Sequence, residues 1–129
     1  MSKKRLIVLI DVIYVGLITA LLLMRISPDI EPVKIEGFDK VVHFCFYFGL
    51  NILLLFTFSI FRKKRLYRHI ISITFFTIIY SIFIEFLQMH TQRSFEYLDI
   101  AANSTGAIVS LIVFQLSQNN KIVRKIISD

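Results

Sequence analysis

Four apolar stretches of about 20 residues, near 6–24, 41–61, 69–89 and 97–116, dominate this 129-residue chain. As α-helices at 1.5 Å per residue, each is long enough to cross a hydrocarbon layer about 30 Å thick. Nothing in them alternates with a period of two, so a β-barrel is excluded. A soluble domain has no use for four such stretches; mean hydropathy of +0.70 and 56% hydrophobic residues agree. The expectation is an all-α fold: a four-transmembrane-helix bundle forming one domain over 1–129. The first stretch has a basic start but no small-residue cleavage site before "MRISPDI", so it reads as an uncleaved span. The lone cysteine, Cys45, can make no intrachain disulfide.

The formal net charge of +6 would suit a nucleic-acid partner, but the positions of the charges do not. Eleven of the 15 Lys and Arg residues fall at 3–5, 62–68 and 121–125, each group against an apolar stretch. That is the positive-inside distribution. It predicts both termini and the loop "RKKRLYR" in the cytoplasm. The loop around Pro28 and Pro32, which break the first helix, and the segment "HTQRSFE" then lie outside. No nucleic acid is expected as a partner.

Placed by depth, the polar residues converge. His43 and Tyr47 lie within the first turns of the second stretch, Glu85 and Gln88 near the end of the third, and Asp99, Asn103 and Gly106 at the start of the fourth. Steps of three and four put each set on one side of its helix. Buried acids within a span are costly, so such a coincidence of level points to a site or to a network that sets helix register. Lys40 and Arg93 flank the cluster and could hold an anion; Glu85 or Asp99 pairing with them is the structural alternative. Asn51 reads as structural, and Ala102, Gly106 and Ser110 as a ridge of small residues for close helix approach. Asp11 lies toward the other membrane face, where pairing with the basic loop is expected.

The segments "DKVVHFCFYFGL", "IEFLQ" and "RSFEYLDIAANSTGA" resemble the signature segments of the VanZ-like family. The matching positions are Asp39, Lys40, His43, Phe44 and Tyr47; Glu85 and Gln88; then Arg93, Asp99, Asn103 and Gly106, with Pro28 in the preceding loop. The resemblance implies a small multi-pass protein of the bacterial cytoplasmic membrane. The family's name comes from a protein linked to teicoplanin resistance.

These features lead to competing expectations. The first is a ligand-binding site formed by Lys40, His43, Tyr47, Glu85, Gln88, Arg93, Asp99 and Asn103. It would take the head group of a membrane lipid or lipid-linked cell-wall precursor. The second is an enzyme acting on such a substrate, with His43, Glu85 and Asp99 as candidate acid, base or metal ligands; no cofactor motif is present. The third is a scaffold with a buried polar lock, and a second copy of the chain is a candidate partner. Proton-coupled transport has less support, because Asp11 alone is acidic in the cytoplasmic half.

Overall fold

In the computed structural model, residues 2–24, 37–61, 67–91, 94–118, 120, 121 and 123 are described. Four helices account for nearly all of them: α1 (Lys3–Leu23), α2 (Phe38–Phe61), α3 (Tyr67–Gln88) and α4 (Tyr97–Ser117). Each is long and apolar enough to cross a membrane, and no strand occurs among the described residues. The expected all-α bundle is present. The helices reach beyond the apolar stretches, α1 by three residues and α2 by three at their starts. Lys3, Lys4, Arg5 and Lys40 are good helix formers and continue the turn into the polar flank. Arg25, Pro28, Pro32, Arg93 and most of the basic loop lie outside the described residues.

Local chemistry fixes several helix ends. Ser2 caps α1, its Oγ accepting from the Arg5 N–H. Gly37, at φ 81°, turns the chain into α2 and accepts the Val41 N–H through its carbonyl. That backbone conformation disfavours any residue with a Cβ. At the end of α3 the Thr91 hydroxyl donates to the Gln88 carbonyl (2.9 Å), within the single turn of 3₁₀ helix Met89–Thr91.

The bundle is polar inside and apolar outside. Buried polar side chains outnumber buried apolar ones, twelve to nine among the described residues. Large apolar side chains such as Val12, Phe76, Leu98 and Leu116 point outward, where lipid is their solvent. In lipid the hydrophobic effect does not drive helices together; close packing and interhelical hydrogen bonds do. The most extensive pair, α2 with α4, follows that rule. Gly106 on α4 lies against the backbone of Phe44 and Phe48, with no room for a Cβ. Eight residues below His43 on α2, Asn51 ties three helices. Its Nδ2 lies within bonding distance of Ser110 Oγ (2.7 Å), the Ala107 carbonyl (2.9 Å) and Thr74 Oγ1 (3.1 Å), and its Oδ1 accepts from Thr77 (3.0 Å). Asn51 thus has the structural place read for it, and close helix approach is seen at Gly106 of the small-residue ridge. Helix α1 joins through the Tyr14 hydroxyl donating to the Phe46 carbonyl (3.1 Å) and through a Thr19–Tyr80 hydrogen bond.

Candidate functional site

The antiparallel order of the helices brings the start of α2, the end of α3 and the start of α4 to one end of the bundle. His43, Tyr47, Glu85, Gln88, Asp99 and Asn103 are all buried there, as their shared level predicts. The nitrogens of His43 and the carboxylate oxygens of Glu85 and Asp99 supply one donor atom each, all within 4.8 Å of one another. The shared level read from spacing is thus matched by the convergence of His43, Glu85 and Asp99.

Each member of this trio has an orienting partner. His43 Nδ1 lies 3.1 Å from Asn103 Oδ1. An amide oxygen only accepts, so Nδ1 carries the proton, and Nε2 is turned toward Asp99 Oδ2 at 3.7 Å. The other oxygen of Asp99 pairs with Lys40. Asp99 also sits in the first turn of α4, where the helix dipole favours an anion. Glu85 Oε1 accepts the backbone N–H of Glu96 (2.9 Å), the residue that precedes α4.

Above this floor, Lys40 forms a rim. Its ammonium meets three carboxylates, Asp39 at 2.8 Å together with Glu96 and Asp99. Asp39 and Glu96 are half-exposed, so the rim reaches the surface while the floor is buried. The Lys40 ammonium beside Glu96 holds its carboxyl below the usual carboxylate range. Neither Asp39 nor Glu96 was singled out as a site residue from sequence. The available signal was spacing: Glu96 stands three residues before Asp99, and Asp39 four before His43.

Two expected members are placed differently. Gln88 is engaged elsewhere: its Nε2 donates to the Leu22 carbonyl (2.9 Å), tying α3 to α1. Tyr47 makes none of the bonds that orient His43; Asn103 does. The phenol of Tyr47 is fully buried and its hydroxyl makes no hydrogen bond. Arg93 lies outside the described residues.

At the opposite half of the bundle Asp11 is buried beside Thr57. Of the basic loop 62–68 with which it was expected to pair, residues 62–66 lie outside the described residues. Cys45 is exposed on α2, away from the cluster, so it offers the site no nucleophile.

Comparison with known sequences and folds bears on this geometry. Neither the curated proteins nor the solved structures give a match to this chain. A family model, VanZ/LLP1, matches residues 5–118. The match takes in α1 and the whole of the cluster-bearing α2–α4. The chain belongs to the VanZ/LLP1 family.

Proposed function

We propose that this chain is a bacterial cytoplasmic-membrane protein whose α2–α4 cluster binds the head group of a membrane lipid or a lipid-linked cell-wall precursor. The basic clusters support an orientation with both termini in the cytoplasm, which puts the site at the outer leaflet. One observation carries the reading. Three buried ionisable groups from three helices meet at one level under a rim that opens at the end of the bundle. A register lock needs no opening; a site for an amphiphile does.

The charge balance refines the ligand. Among the described residues Lys40 faces three carboxylates, so it is already neutralised and is a poor anion holder by itself. The acidic rim suits the hydroxyl or amine portion of a head group. The test is mass spectrometry of lipid retained by the purified chain. The wild type is expected to keep bound lipid, and His43→Ala with Asp99→Asn to lose it at equal yield. Equal retention by both would overturn the site.

A second reading has its own observation. Asn103 fixes the His43 ring with Nε2 turned toward the acids, as a general acid or base requires. Hydrolysis or transfer on the bound head group would then be the activity. Turnover of a phospholipid or lipid-linked substrate by wild type, lost in His43→Ala, would favour it over binding alone.

A link to glycopeptide resistance follows from the family's name and is tested with the binding reading. Expression in a susceptible Gram-positive host should raise tolerance to teicoplanin, whose lipid tail seats in the membrane, more than to vancomycin. No change in either would remove the resistance role from this chain.

A further inference from the structure

We propose that His43, Glu85 and Asp99 hold a divalent metal ion, which would present a positive charge to the phosphate of the bound head group. The proposal rests on the head-group reading and deepens it. One nitrogen and two carboxylate oxygens are a donor set for zinc or manganese. The three donor atoms lie within 4.8 Å of one another. Metal–ligand bonds of about 2.0–2.2 Å in tetrahedral geometry would draw them to about 3.5 Å from one another.

The outer partners argue most strongly for a built centre. A histidine that ligates a metal through Nε2 characteristically donates its Nδ1–H to an oxygen, and ligating carboxylates accept hydrogen bonds of their own. Here Asn103 Oδ1 takes the Nδ1–H of His43. The Glu96 N–H holds one oxygen of Glu85, and Lys40 holds one oxygen of Asp99. The second oxygen of Asp99 is the one turned to His43 Nε2. The triad of Asp39, Glu96 and Asp99, of which only Asp99 is buried, differs, because it surrounds the Lys40 ammonium.

A separate observation points to a ligand beside the trio. The Tyr47 hydroxyl is fully buried without a hydrogen-bond partner, one helical turn from His43 on α2. A buried hydroxyl without a partner is costly. A phosphate oxygen or water on the metal would accept its proton. Three protein ligands leave a coordination position for that oxygen, as catalytic rather than structural zinc sites do.

The test uses the full chain in detergent, stripped with chelator and titrated with Zn²⁺ or Mn²⁺ alone. Wild type should bind one ion per chain. His43→Ala and Asp99→Asn should weaken that binding at least ten-fold, and Asn103→Ala, which keeps all three ligands, by about 10–100-fold. Tyr47→Phe should leave metal affinity unchanged while weakening retention of phosphatidylglycerol. Variants that fail to fold are bypassed by pulsed electron paramagnetic resonance on Mn²⁺-loaded wild type, which should detect a coordinated histidine nitrogen. Uptake well below one ion per chain, or no histidine signal, would overturn the proposal. Lipid retention that survives chelator would remove the metal and leave the head-group reading. Metal binding with no lipid retention would do the reverse.

Discussion

Asn103 Oδ1 lies 3.1 Å from Nδ1 of His43, two buried side chains 60 residues apart whose bond decides which face of the imidazole is basic. Asn103→Ala should therefore impair the site without emptying it. His43 stays, but its ring can turn and its tautomer is no longer set. Asn103→Asp should restore the acceptor and recover part of the loss. The readout is lipid retention beside thermal stability; equal loss of both in Asn103→Ala would mean that the bond is only a helix tie.

The α2–α4 contact at Gly106 predicts a purely structural defect. A Cβ there meets the Phe44 carbonyl and the Phe48 amide, which are backbone atoms and cannot swing away. Gly106→Ala should destabilise the folded chain by about 1–3 kcal/mol, seen as a lower unfolding midpoint in detergent. Gly16→Ala meets nothing within 4 Å and should be neutral or slightly stabilising.

Asn51 offers the complementary separation. Its side chain bridges α2, α3 and α4 deep in the bundle, far from the rim. Asn51→Leu should lower stability by about 0.6–2 kcal/mol, the range of interhelical hydrogen bonds in membranes. Ligand retention per folded chain should be unchanged. A specific loss of binding at full stability would extend the site to Asn51.

Acid should loosen the pairing of Lys40 with Glu96 at the rim. Lys40 holds the folded-state pKa of Glu96 below its unfolded value. The stabilisation is therefore present above the unfolded value, about 4.3, and is lost as pH falls through the lowered folded value. Because Glu96 is 45% exposed, the effect is small, under about 1 kcal/mol. Glu96→Gln should leave stability at pH 7 almost unchanged and flatten the acid limb of a stability–pH curve below about pH 4. An identical acid limb in both proteins would contradict the assignment.

The four helices were legible because lipid leaves a chain few options, and an apolar stretch of about 20 residues states its own structure. The level of the site was legible too, since helical periodicity and antiparallel order together set the depth of His43, Glu85 and Asp99. What spacing does not carry is each helix's rotation about its axis. That rotation turns Gln88 to the Leu22 carbonyl, away from the cluster, and leaves Asn103, rather than Tyr47, beside the ring of His43. The hold of the Glu96 N–H on Glu85 was hidden for another reason: it is a backbone donor at a helix start, and backbone groups leave no mark on the sequence.

The central claim, a head-group site at the ends of α2–α4, is tested most directly by ligand-induced stabilisation. A ligand that binds the folded state alone, at 100 times its dissociation constant, stabilises it by about 2.7 kcal/mol. Short-chain lipids differing only in head group should raise the unfolding midpoint of wild type selectively, by several degrees for the preferred one. His43→Ala with Asp99→Asn should abolish that preference. Equal shifts for every head group, or the same selectivity in the double variant, would contradict the account.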